Sequence, residues 1–235
     1  MVMDTQSFRN KQLTYIVTAG PTREFIDPVR FLSNPSTGKM GYALAEAAYE
    51  SGGHVTLISG PASLSVSEGI QKIDVVSAED MCREVLRYIN TIDVLIMAAA
   101  VSDFTPAMVS DQKIKKGAVD LTLSFIRTKD ILEEVRKTGF NGTVVGFAAE
   151  TEHLEEHART KLTRKKLNII VANDITQPGA GFASDTNIVT LFTDANDTTV
   201  LPQKSKMELA RYIIDYIRKY RQGNQSIGGT HERSF

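Results

Sequence analysis

Short β-branched runs alternate along the chain with longer amphipathic stretches. Residues 13–18 (L-T-Y-I-V-T) predict a buried strand. Met40, Leu44, Ala47 and Ala48 then recur at helical spacing, which predicts a helix starting near Thr37 or Gly38 and stopping at Ser51-Gly52-Gly53. Residues 54–59 and 73–76 predict the next strands. Ser77 and Asp80 mark the start of a helix whose apolar stripe is Ala78, Met81, Cys82, Val85, Leu86 and Ile89. Residues 93–98 (D-V-L-I-M-A) form the most apolar strand, expected at the sheet centre. Helices over 131–137 and 154–166 alternate with strands over 143–148 and 169–172, and an amphipathic helix over 206–220 closes the chain with Leu209, Ile213 and Ile217 on one face.

This strand–helix–strand order implies parallel crossovers, hence an α/β fold: a Rossmann-like, mostly parallel sheet with helices on both faces. Three segments instead alternate apolar and polar residues: 121–126, 188–192 and 198–201, the last two joined by the turn D-A-N-D at 194–197. They predict half-buried strands, in a small antiparallel excursion that could serve as a side sheet or a subunit contact. Residues 1–12 are a polar lead-in, 13–220 a single domain, and 221–235, rich in Gly, Ser, Asn and charge, are expected to be disordered.

The first strand and helix are separated by a long connection, which contains A-G-P-T-R-E, D-P-V-R and S-N-P-S-T-G-K-M-G. A strand end, a small-residue loop and a helix N-terminus together favour phosphate, through backbone N–H groups and the positive end of the helix dipole. Gly20, Ser36 and Gly38 are the expected backbone cradle. Two familiar phosphate motifs fail here. Ser33 and Met40 stand where a P-loop needs Gly and Ser or Thr, and Gly20 and Gly38 are too far apart for a dinucleotide fingerprint. A connection this long is usually functional or disordered, and Arg23, Asp27, Arg30, Asn34 and Lys39 favour function.

Further chemistry gathers at two other places. Ala98-Ala99-Ala100 at the end of the central strand would let a flat ring or a ribose approach the backbone, although tight helix packing explains small residues equally well. The polar excursion over 103–117 carries Lys113-Ile114-Lys115-Lys116, either a solvated face or a mobile cationic lid for a triphosphate. An acidic residue after the second strand, as in a nicotinamide enzyme, is replaced by Ser59-Gly60-Pro61, and no Tyr stands three residues ahead of a Lys. Both absences count against a redox role. His153-Leu154-Glu155-Glu156-His157 fits H-x-x-E-H, but an exposed first turn of a helix is the expected setting.

Composition narrows the class. With 235 residues, 42% hydrophobic and 23% charged, the chain has the balance of an ordinary globular protein. A net charge of −1 gives no global attraction to nucleic acid. No apolar run approaches a membrane span and the N-terminus lacks a signal-peptide core, so a cytoplasmic location is expected, with no membrane partner. Cys82 is the only cysteine, which excludes an internal disulfide, and its place in an apolar stripe predicts a core residue instead of a nucleophile.

The stretches quoted above, with A-A-A-V-S-D-F at Ala98, K-I-K-K at Lys113, G-F-A-A-E-T at Gly146, A-N-D-I at Ala172 and G-F-A-S-D-T-N at Gly181, resemble one family over about residues 13 to 217: phosphopantothenoylcysteine synthetase, or phosphopantothenate:cysteine ligase, of coenzyme A biosynthesis. The resemblance implies that 4'-phosphopantothenate is activated by a nucleoside triphosphate to an acyl-nucleotide, which L-cysteine then captures. The lysine and G-F-A-A-E-T stretches are similar to the bacterial, CTP-using type rather than the ATP-using animal type. It further implies Asn34 and Lys113 as catalytic residues, Arg30 and Asn34 at the phosphopantothenate, and nucleotide contacts from Met97, Ala98, Ala99, Asp103, Lys113, Phe147, Lys161, Lys165 and the loop Lys129, Asp130, Ile131 and Leu132. Arg127-Thr128-Lys129-Asp130 departs from the family's Lys-Asn-Pro-Asp. Magnesium is expected as cofactor, mainly through the triphosphate, with Asp103 a candidate ligand. The family forms dimers and in many bacteria is fused to a flavin-dependent decarboxylase, so a stand-alone homodimeric synthetase is expected here, acting alongside a separate decarboxylase. The alternatives are an NAD(P)-dependent dehydrogenase on a similar sheet and a nucleotide-sensing module without turnover.

Overall fold

The computed structural model describes residues 12–116, 120–150, 152–174, 176 and 184–228. Residues 1–11 of the expected 1–12 lead-in, most of the loop that follows Asp174 and residues 229–235 lie outside the described residues.

Six strands run parallel: β1 (Thr14–Ala19), β4 (His54–Ser59), β5 (Gln71–Asp74), β6 (Val94–Met97), β9 (Thr143–Glu150) and β10 (Ile169–Asp174). The antiparallel β11 (Thr186–Thr193) and β12 (Thr198–Ser205) extend the same sheet, whose order is β12-β11-β10-β9-β6-β1-β4-β5. The alternating strands near the C-terminus are therefore the edge of the main sheet and not a separate side sheet. The α/β, mostly parallel architecture expected from the sequence is the one observed, with helices on both faces.

Alternation along each buried strand feeds two cores. Tyr15 and Val17 face one layer with Leu44 of α1 (Lys39–Glu50) and Leu209, Ile213 and Ile217 of α5 (Lys206–Gly228). Ile16 and Ile58 face the other layer with Met81 and Val85 of α2 (Ala78–Tyr88), Ile131 and Val135 of α3 (Ile131–Lys137), and Ala158 and Leu162 of α4 (Leu154–Arg164). Ser77 and Asp80 close a capping box on α2, the start that their spacing predicts.

Three local expectations are corrected. The long connection after β1 contains a hairpin, β2 (Arg23–Phe25) with β3 (Phe31–Ser33). Over 121–126 the expected half-buried strand is replaced by β8 (Phe125–Arg127), whose residues are exposed and pair only with β7 (Phe104–Pro106). Pro106 opposite Phe125 has no N–H to donate, which limits that ladder. The closing helix continues past Tyr220 to Gly228, where disorder was expected. Arg221 ties its last part down, donating from Nη1 to Asp93 O at 2.8 Å and Thr143 Oγ1 at 2.9 Å.

Candidate active site

The parallel strands read β5-β4-β1-β6-β9-β10, so the order reverses between β1 and β6. In such sheets ligands sit outside the carboxyl ends of the strands at that reversal. Here the ends of β1 and β6 are stitched together: Ala100 N donates to Gly20 O at 2.9 Å and Thr22 N to Ala100 O at 3.3 Å. Buried hydroxyls hold the same seam, with Ala99 N donating to Thr18 Oγ1 at 3.2 Å and Ser102 N to Thr22 Oγ1 at 3.0 Å. Small residues at 98–100 thus serve strand closure as well as any ring that approaches.

On one side of the seam lies the N-terminus of α1. Its N-cap, Gly38, has φ +80° and supplies no side-chain cap, and the first helical turn holds no acidic residue. The positive end of the helix dipole is therefore left without a carboxylate of its own. A Cβ on Gly38 would come within 3.3 Å of Gly20 Cα, so glycine at both positions lets the two backbones touch. Ser36 Oγ accepts from Gly38 N at 3.3 Å. The three cradle residues read from the sequence are brought together.

Asn34 stands over the seam itself. It is exposed, and its Nδ2 donates to Ala100 O at 3.1 Å and Val101 O at 3.3 Å. On the far side, Met97 lies beside Gly146 in the β6–β9 register, next to Phe147. Lys161 Nζ donates to Phe147 O at 2.7 Å. Lys165 pairs with Asp130 and, at 2.7 Å, with Glu133. Burial pushes the Asp130 carboxyl up, but hydrogen bonds from Lys165 and the Glu133 amide outweigh it and hold the group below the usual carboxylate range. Asp130 is also the N-cap of α3, and Thr128 N donates to Asp103 O at 3.0 Å, drawing the 128–132 loop against the end of β6. These bonds link Asp103 to the 128–132 loop, Asp130 to Lys165 and Phe147 to Lys161, whereas Ile131 is buried in the second core, and Ala98 and Phe147 pack on the opposite face of the sheet from Met97, Ala99 and Leu132.

Three expected contacts sit differently. Lys129 leans away to Glu79 of α2 at 2.8 Å, a pairing that raises its pKa. Arg30 is engaged by Asp27 and by Ile114 O at 2.7 Å. Lys113 is exposed beside Ile114, whose backbone these bonds tie to the turn of the β2–β3 hairpin, the end away from Asn34. Residues missed in the sequence include Asp185, whose carboxylate pairs with Lys39 at 2.5 Å, and buried Lys206, whose ammonium is pulled below its usual value by burial and by Lys39. The Asp185 pairing spans 146 residues, beyond the reach of any local sequence signal.

His153 and Glu156 are 68% and 77% exposed at the start of α4, the setting expected of a helix's first turn. Cys82 is buried, and burial pushes its thiol up, away from the reactive thiolate. Among the described residues no group of three or more His, Cys, Asp or Glu side chains gathers to hold a metal ion, and no helix is long and apolar enough to cross a membrane.

The strand order defines a doubly wound α/β domain whose switch point, the place where such sheets bind ligands, lies between β1 and β6. The chain belongs to the family of the DNA/pantothenate metabolism flavoprotein C-terminal domain, which it matches over residues 10–220. It is 51% identical over 203 residues to the coenzyme A biosynthesis bifunctional protein CoaBC of Bacillus subtilis, covering 86% of this chain and 50% of that protein. With the protein of the same name from Escherichia coli K12 it shares 44% over 211 residues, 88% of this chain and 52% of the relative. The chain spans about half the length of these curated relatives. Among solved structures, the C-terminal domain of a CoaBC protein superposes with TM-score 0.78 at 38% identity, over 90% of this chain and 96% of that one. The Cab2 H337A mutant in complex with phosphopantothenate-cysteine has TM-score 0.72 at 17% identity, over 93% and 90%, a likeness of fold.

Proposed function

We propose that this chain is a CTP-dependent phosphopantothenate:cysteine ligase of coenzyme A biosynthesis. The observation that carries the reading is the placement of Asn34 at the β1–β6 seam, between an uncapped helix N-terminus and a rim with two lysines. A carboxylate oxygen of 4'-phosphopantothenate attacks the α-phosphorus of CTP; the bond to the β-phosphate oxygen breaks and pyrophosphate leaves with its electrons. The cysteine amine then attacks the acyl carbon, CMP departs, and the amine gives up a proton.

The residues act through charge and hydrogen bonds. Gly20, Ser36 and Gly38 present backbone and dipole to the phosphates, and the Met97–Ala99 end of β6 with Phe147 receives the base and ribose. Asn34 is neutral, so it can hydrogen-bond the acyl group without repelling two anionic reactants. Lys113 supplies positive charge where the phosphoryl group changes hands. Magnesium would arrive on the triphosphate, with the exposed Asp103 as a candidate ligand. When bound, the ion neutralises phosphate charge.

A second copy of the chain is the proposed partner. Phe25, Phe31 and Leu32 of the first hairpin and Phe104, Phe125 and Ile126 of the second are each between 38% and 55% exposed, and β2 lies against β7. Apolar exposure on two adjoining hairpins suits a covered interface. The product would pass to a decarboxylase. Mass spectrometry of the complete reaction with CTP or with ATP tests the reading: phosphopantothenoylcysteine should form faster with CTP, and equal or faster formation with ATP would overturn the nucleotide assignment.

A further inference from the structure

We propose that Asp27 is a positioning residue that, with Arg30, fixes the lysine segment 113–116 by gripping the backbone of Ile114 from both sides, and so holds Lys113 against the turn of the β2–β3 hairpin whose other end leads into Asn34.

Asp27 is fully buried on a surface loop. Its Oδ1 accepts the amides of Val29 at 2.8 Å and Arg30 at 2.9 Å. Its Oδ2 accepts Arg30 Nε at 3.0 Å and the amide of Ile114 at 3.1 Å, 87 residues further along the chain. Arg30 Nη2 returns the contact, donating to Ile114 O at 2.7 Å. One side-chain pair three residues apart therefore satisfies both polar groups of a single distant peptide residue. A second rung, Ser110 N to Ile26 O at 3.0 Å, holds the segment a few residues earlier.

No helix or strand is present between Pro106 and Phe125 among the described residues, so the Ile114 contacts are what localise the lysines. A buried carboxylate needs its acceptor sites filled, and breaking such a group costs far more than losing an exposed ion pair. Burial pushes the Asp27 carboxyl up, yet the Arg30 side chain and the amides of Val29, Ile114 and Arg30 outweigh it and hold the group well below the usual carboxylate range. The grip is thus fully charged at neutral pH. Lys113 and Lys115 flank the gripped residue and remain exposed, so their ammonium groups can reach a polyanion while their backbone is fixed. Fixing the backbone reduces the entropy lost when a lysine is brought to a phosphate.

The catalytic part of this inference rests on the ligase reading, whereas the grip itself does not. Asp27→Asn places an amide N–H₂ or a weaker acceptor opposite Arg30 and Ile114; Ile114→Pro removes the gripped N–H within an irregular segment whose loss threatens no core. Trypsin cleavage, followed by intact mass, is expected to quicken about tenfold or more after Lys115 and Lys116 in both variants, and after Lys113 in Asp27→Asn alone, because trypsin does not cut a Lys–Pro bond. Turnover in the complete ligation should fall about tenfold or more with the KM for CTP changed less than about threefold, and Asp27→Asn should add little further loss to Lys113→Gln. Unchanged cleavage in both variants would overturn the grip. Fully additive losses with Lys113→Gln would overturn its action through that lysine. Lack of turnover in the unaltered chain would count against the ligase reading, with cleavage still deciding the grip.

Discussion

Gly20 and Gly38 meet backbone to backbone: a Cβ on Gly38 would lie 3.3 Å from both Cα and N of Gly20, and Gly38 itself sits at φ +80°. Gly38→Ala therefore combines a left-handed backbone with a tight contact at the mouth of α1. The expected cost is about 1–2 kcal/mol in stability. Displacing the cradle should also raise the KM for the triphosphate about tenfold, which steady-state kinetics over a range of CTP checks.

Asn34 is exposed and makes its bonds through Nδ2 alone to Ala100 O and Val101 O among those described. Asn34→Asp removes those donors and sets a carboxylate against two carbonyl oxygens and two anionic reactants. Turnover is expected to drop at least about a hundredfold, while the melting temperature changes by no more than a few degrees. Near-normal turnover in this variant would remove Asn34 from the chemistry.

Lys113→Gln keeps a polar, unbranched side chain at this exposed position, though a shorter one, and deletes its charge. Turnover should fall at least about a hundredfold with an unchanged melting temperature. Single-turnover formation of CMP and pyrophosphate measures it directly.

How much of this was legible beforehand follows from the range of each interaction. The β1, β4, β6 and β10 strands and the α1 and α2 starts are set by local periodicity and caps, and they appear where the sequence places them. The β2–β3 hairpin was hidden in a loop of prolines and charges because its three-residue strands are too short to show a period. Residues 121–126 show the period without the neighbour: alternation predicts burial only if a sheet lies beneath, and here β7 alone is present. Arg221 looks like the start of a polar tail until Asp93 and Thr143 are brought to it by the sheet. In the site, the cradle glycines were readable from backbone logic, and the lysine rim came from resemblance. The Asp27–Ile114 grip and the Lys39–Asp185 pair depend on residues far apart in sequence, which no local pattern encodes.

Lys165 is the cation for Asp130 and Glu133, with its own side chain 10% exposed. Because the folded Asp130 carboxyl is held below its unfolded value, the stability from the pairing is present above about pH 4 and is lost as pH falls through the folded value. Lys165→Met should therefore lower the melting temperature at pH 7 and lower it less at about pH 3.5. A pH-independent deficit in thermal unfolding would assign the loss to packing instead.

Cys82 lies in the buried stripe of α2. Cys82→Ser should cost roughly 1–3 kcal/mol through an imperfectly paired hydroxyl, with turnover per folded molecule unchanged. Denaturant unfolding and kinetics on the same sample separate the two effects.

The central claim is that a carboxylate is activated by CTP at the β1–β6 seam. Pyrophosphate release measured without cysteine tests it most directly, with CTP and phosphopantothenate supplied singly and together. The account predicts a burst of pyrophosphate only when both are present, followed by CMP once cysteine is added. Release from CTP alone, or no release from the pair, would contradict it.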